Sequence, residues 1–152
     1  MHGQYNGKDA LESRRKWYTG TSTLKAGQVL CFDLDDTSSP TSDADPTRTA
    51  RGQTVTDPVT ANLAAVAGLV AEGAGGVTGP CWVDIIMPHK GDVVEIYTSA
   101  NCTKNTTVLG ASNGSLAATS MTDSTFNTSV LAVAIETVDR SSTSGTVLAK
   151  FL

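Results

Sequence analysis

Charge is what this sequence has least of. Asp, Glu, Lys and Arg make up 17% of its 152 residues, where about 25% is usual in a soluble domain. Ser, Thr, Gly and Ala fill the gap, and helix formers such as Glu, Lys and Gln are scarce. That balance argues against a helical bundle and for strands joined by polar turns. Histidine occurs twice, as His2 and His89, with no partner at a metal-ligand spacing. The three cysteines, Cys31, Cys81 and Cys102, are far apart and form no Cys-x-x-Cys pair, so a zinc site has no support. An odd count in a chain of this length also argues against a disulfide framework. Cys31 and Cys81 sit in apolar runs and read as small core residues. No apolar stretch approaches the roughly 20 residues of a membrane helix. The longest candidate, 61–71, is interrupted by Asn62 and Gly68. The first thirty residues hold no apolar run of the signal-peptide kind, so no secretory leader is expected.

What charge there is lies unevenly. The net charge is −4, yet residues 1–20 carry Lys8, Arg14, Arg15 and Lys16 against Asp9 and Glu12. The acidic remainder excludes a broad nucleic-acid-binding face, which needs basic residues to displace counterions. Residues 1–20 have little apolar periodicity. They read as an extended amino-terminal arm, with at most a helical turn over 9–16, ahead of one β-rich domain over 21–152. Leu11, Arg14, Arg15, Trp17 and Tyr18 are the candidate partner contacts in that arm. A solvated tail is the plain alternative for the arm, and core packing the alternative for its two aromatics.

Beyond the arm, QVLCFDL (28–34) reads as a strand. Residues 35–58, rich in Asp, Ser, Thr and Pro, read as a long exposed loop. VTANLAAVAGLVAE (59–72) suits a helix by the spacing of Leu63, Val66 and Val70. It suits a strand by the Gly-rich turn that follows, and strand is preferred. CWVDIIM (81–87) and VVEIYT (93–98) are strands around a PHKGD turn. Residues 99–128 are polar, with short apolar pieces at 108–109 and 116–118. SVLAVAIETV (129–138) and TVLAKFL (146–152) form a terminal β-hairpin. Together these predict a mainly β protein, an antiparallel barrel or sandwich. Phe151 is expected to be buried, because an exposed apolar terminal strand invites aggregation.

One segment imitates an enzyme. VLCFDLDDT (29–37) resembles the first motif of haloacid-dehalogenase-like phosphatases, with Asp33 as nucleophile, Asp35 as acid/base and magnesium between them. Lys90 and Asp92 mimic later motifs. The setting is wrong: SSPTSDADPTRT cannot supply the helix that must follow, and Lys90 and Asp92 share one turn. An acidic, Asx-rich turn after a strand explains the segment. The Asp cluster at 33–45 matches no EF-hand spacing, and GAGGVTG (73–79) lacks the Lys-Ser/Thr ending of a phosphate loop. No catalytic residue, metal or cofactor is expected.

The second half is similar to the small decoration, or cement, proteins of tailed-phage capsids. The likeness is carried by CWVDIIMPHKGDVVEIYTSAN, by the Thr/Asn/Gly-rich stretch after it, and by SVLAVAIETVDRSSTSG with TVLAKFL. TLKAGQVLCFD matches the family's Gly-led early strand. Ala132 stands where the family often has Gly, and the segment before Thr21 is longer than usual. The resemblance implies a β-barrel or sandwich that assembles as a homotrimer on the outer surface of the virion capsid. There it staples neighbouring major capsid protein subunits, with no enzymatic activity, no cofactor, and no direct contact with nucleic acid or membrane. The second functional expectation is a carbohydrate- or receptor-binding β-domain of a phage fibre.

Overall fold

The computed structural model describes residues 13–33, 54–59, 62–63, 65–111, 119–120 and 130–152. Among them the fold is mainly β, and the sole helical element is a 3-10 turn, Glu72–Ala74. Five strands close a small barrel: β1 (Ser13–Tyr18), β2 (Val29–Phe32), β3 (Thr54–Thr56), β4 (Val66–Val70) and β5 (Cys81–Ile86). Their order around the barrel is β1-β3-β2-β4-β5, with β5 pairing back to β1. All pairs are antiparallel except β1 with β3. A second sheet follows, in the order β6-β10-β9-β7-β8. It comprises β6 (Val93–Thr98), β7 (Val108–Gly110), β8 (Thr119–Ser120), β9 (Val130–Ala134) and β10 (Gly145–Phe151).

Alternation along β2 shows how the two layers share a chain. Leu30 points into the barrel, where it meets Tyr18, Leu24, Val55, Val83 and Ile85. Val29 and Cys31 point out of the barrel and pack against Val94, Ile96, Leu109, Ala132 and Val147 of the second sheet. A strand covered on both faces needs no polar side, which is why VLCF is an unbroken apolar run. β4 divides in the same way, with Ala67 and Val70 inward and Leu69 outward. Gly68 borders a bulge in β4, where Ala67 is the extra residue against Leu30 and Cys31, at a φ of 150° with no room for a Cβ beside the Ile86 carbonyl. At Gly27, φ is 78°, and an added Cβ would lie 2.5 Å from the Glu95 carbonyl oxygen. That close approach lets the Tyr97 N–H donate to the Gly27 carbonyl at 3.0 Å, tying the turn before β2 to the edge of the second sheet.

Several boundaries differ from the sequence reading. The expected arm over 1–20 is a barrel strand from Ser13 to Tyr18, paired residue for residue with β5. This also rules out a helical turn over its last four residues. Residues 1–12, and with them Leu11, lie outside the described residues. Tyr18 fills the barrel from one face, and Arg15 and Trp17 lie on the other; Arg14 and Lys16 share the Tyr18 face but lie nearer the start of the strand, where Arg14 is exposed and Lys16 is half-buried. Within the loop expected over 35–58, residues 54–56 form β3, held between β1 and β2. Within the strand expected over 59–72, Val66–Val70 forms a strand; ahead of it the Asn62 side chain caps a turn by accepting from the Val59 N–H at 2.7 Å. The hairpin of β9 and β10 is present, with Ala134 opposite Ala149. Phe151 packs on the interlayer core but is only partly buried.

Candidate partner-binding surface

Of the five residues singled out in the arm, the structure brings Arg15 and Trp17 together and separates them from Tyr18. β1 and β5 run antiparallel with Arg15 opposite Asp84 and Trp17 opposite Trp82. All four side chains stand on the outer face of the barrel, because residues two apart on a strand share a face. The Arg15 Nε donates to Asp84 Oδ1 at 3.2 Å. Both groups are largely exposed, so the pair contributes less than about 1 kcal/mol to stability. The Trp17 and Trp82 rings meet edge to face, 5.3 Å between centroids and 70° between planes. Trp82 is 46% exposed. An indole held by a neighbouring ring yet open to solvent is pre-positioned for contact, since little side-chain freedom remains to be lost. Trp82 and Asp84 were missed as site residues. The signal was in CWVDIIM, where W-x-D alternates with the inward Val83 and Ile85.

Arg14 is exposed and stands opposite Ile85 in the register. Lys16 holds its ammonium 5.8 Å from the centre of the Phe32 ring. Partial burial, and then the neighbouring Arg14 charge, push its pKa down. Tyr18 serves the barrel core instead of a partner. It is fully buried, and its hydroxyl donates to Asp57 Oδ2 at 2.8 Å. Ser22 and Gln28 donate to the same carboxylate at 3.2 and 3.1 Å. Burial, reinforced by the Asp57 carboxylate, pushes the Tyr18 pKa up to about 12.

A second feature lies at the junction of the layers, a groove of about 250 Å³. Val70 and Ile86 line its barrel side, and Val93 and Leu148 line its sheet side. Among the described residues, Glu72 and Glu95 are the charged ones in its wall.

Of the enzyme-like residues, Asp35 lies outside the described residues. Asp33 follows β2 and accepts from the Thr19 hydroxyl at 2.8 Å. β2 lies between antiparallel neighbours, which is not the parallel sheet of the phosphatase fold. His89 is exposed, and its backbone N–H donates to the Asp92 carboxylate within one turn. The three thiols are free; burial pushes Cys31 up to about 12 and raises Cys81 and Cys102, keeping them protonated near neutrality. Among the described residues no three His, Cys, Asp or Glu side chains are placed to share a metal ion.

The fold so defined is a closed five-stranded barrel backed by a five-stranded sheet, with an aromatic–charged patch on the barrel and an acidic-walled groove between the layers. No protein-family model and no curated protein sequence matches this chain. Among solved structures it is similar in fold to the head fiber gp8.5 N base of bacteriophage phi29, with a TM-score of 0.57 at 10% sequence identity. The match covers 93% of this chain and 94% of that one, so the likeness of fold runs over nearly the whole of both.

Proposed function

We propose that this chain is a structural protein of a tailed-phage head, bound to the outer surface of the shell, where it staples neighbouring subunits of the major capsid protein. The observation that carries the reading is the end-to-end fold likeness to a head fiber base. It adds to the independent resemblance of residues 76–152 to capsid decoration proteins. The chain acts by binding alone and catalyses no reaction. A protein that staples must bury large areas without desolvating many charges. The low charge of this chain and its Trp17–Trp82 patch meet that need. Arg15 and Asp84 at the edge of the patch supply polar contacts that fix orientation. Assembly as a homotrimer belongs to the same reading.

The test is sedimentation of the purified protein with DNA-filled and empty heads of the phage that encodes it, followed by a stability assay of the loaded heads. Saturable binding and a higher temperature of DNA release are expected. Retention on glycans with no affinity for heads would overturn the reading in favour of receptor binding.

A further inference from the structure

The chain enters the barrel beside the groove between the layers. Ser13, where the described residues begin, lies directly opposite Ile86 on β5. Ile86 lines the groove and packs on the interlayer core. Directly opposed residues of an antiparallel pair point to one face, so Ser13 stands on the face that Ile86 presents to the groove. Leu11, two residues earlier, falls on the same face of the strand line. β5 ends at Ile86, and Pro88, opposite position 11 in the register, has no N–H to continue the ladder. The register thus offers the residues before Ser13 little further pairing on β5, at a point beside the groove.

The volume of the groove, about 250 Å³, falls below the roughly 300–1,000 Å³ of sites for drug-sized ligands. Val70, Ile86, Val93 and Leu148 make it apolar. Val93 and Leu148 are 41% and 38% exposed, and Met87, next to Ile86 in the chain, is 37% exposed. Exposed apolar side chains placed where a further stretch of the same chain begins point to that stretch as their cover. Residues 1–12, MHGQYNGKDALE, carry Met1, Tyr5 and Leu11 as large apolar side chains. Extended at about 3.4 Å per residue, the segment can span a groove that starts at Ile86. Tethered there, it is present at an effective concentration on the order of millimolar, ahead of any free partner.

From this placement we infer that residues 1–12 close the groove of their own chain as an intramolecular strap. Leu11 and Tyr5 lie on the apolar floor formed by Ile86, Val93 and Leu148. Apolar surface is then buried on both sides, which offsets the ordering of a segment too poor in apolar residues to fold alone. The strap also withdraws Val93 and Leu148 from chance association between copies.

The experiment places a photo-crosslinking benzoylphenylalanine at Val93 in the full chain, mixes heavy-isotope-labelled and unlabelled copies in equal amounts, irradiates, and maps the adducts by mass spectrometry. Adducts to residues 1–12 that join peptides of one isotope composition are expected. Tyr5→Ser with Leu11→Ser should lower their yield at least about tenfold, as loss of two buried apolar side chains does. A second measurement leaves the groove unlabelled. Trypsin cleavage after Lys8 should be about tenfold slower in the wild type than in that double variant, because a docked segment must first open. Adducts that mix the two isotope compositions would overturn the inference in favour of a second copy's segment. So would adducts confined to residues outside 1–12, or equal cleavage rates in wild type and variant. None of these results bears on head binding through the Trp17–Trp82 patch.

Discussion

Trp17 and Tyr18 are neighbours in the chain and lie on opposite sides of one strand, and that separation decides what each can do. Trp17 is at the surface beside Trp82, while Tyr18 is sealed in the barrel with its hydroxyl on Asp57. Tyr18→Phe removes one of three side-chain donors to that carboxylate and is expected to cost about 1 kcal/mol, read from urea denaturation. Alkaline pH probes the same core. Tyr18 and Cys31 are both neutral in the folded state, with pKa values raised to about 12 from 10.0 and 9.0. The unfolded chain ionises them first. Their contribution is therefore whole below about pH 9 and is lost progressively toward pH 12. The urea midpoint should fall over that window, and less steeply in Tyr18→Phe. A midpoint flat to pH 11 would show that these groups are not buried as described. Gly27→Ala tests the tie between the layers, because its φ of 78° and the nearby Glu95 carbonyl both oppose a side chain. A loss of about 1–3 kcal/mol is expected.

β5 shows at the level of the element how one strand serves two purposes. Its inward residues, Val83 and Ile85, fill the barrel, and its outward residues, Trp82 and Asp84, make the patch. Ile85→Ala should cost about 2–5 kcal/mol of stability and leave the head affinity of the folded protein unchanged. Trp82→Ala should change stability by less than about 1 kcal/mol and weaken head binding by about thirtyfold, as loss of an aromatic anchor does. Equal effects on both properties from both variants would contradict the division. Phe151→Ala should cost about 3 kcal/mol or less, because the ring is only partly buried against the interlayer core. β5, β6, β9 and β10 were legible in the sequence because β-branched runs stand between clear turns. β3 was not, since three residues among Asp, Thr and Pro carry no periodicity and are fixed only by β1 and β2. β1 was read as an arm for a different reason. On the face of SRRKWY that turns to the barrel, Tyr18 is the one apolar residue beside Arg14 and Lys16, and closure of the barrel supplies the partners that this composition does not announce. Half of the patch was visible as Trp17 and Arg15; its other half lay in a strand read only as core.

For the whole molecule, the likeness to a head fiber base at 10% identity means that the fold is kept while nearly every side chain differs. The two-layer core joins barrel and sheet through Val29, Cys31 and Leu69, so force applied at one layer is carried to the other by packed side chains. Light scattering should return three times the mass of 15.7 kDa if the trimer of the proposal forms free in solution. The most direct measurement is cryo-electron microscopy of heads saturated with the protein. The account predicts barrel-and-sheet density on the outer surface, bridging at least two shell subunits, with the Trp17–Trp82 patch against the shell. Heads that remain bare at saturating protein, or density attached only at a tail or fibre tip, would contradict it.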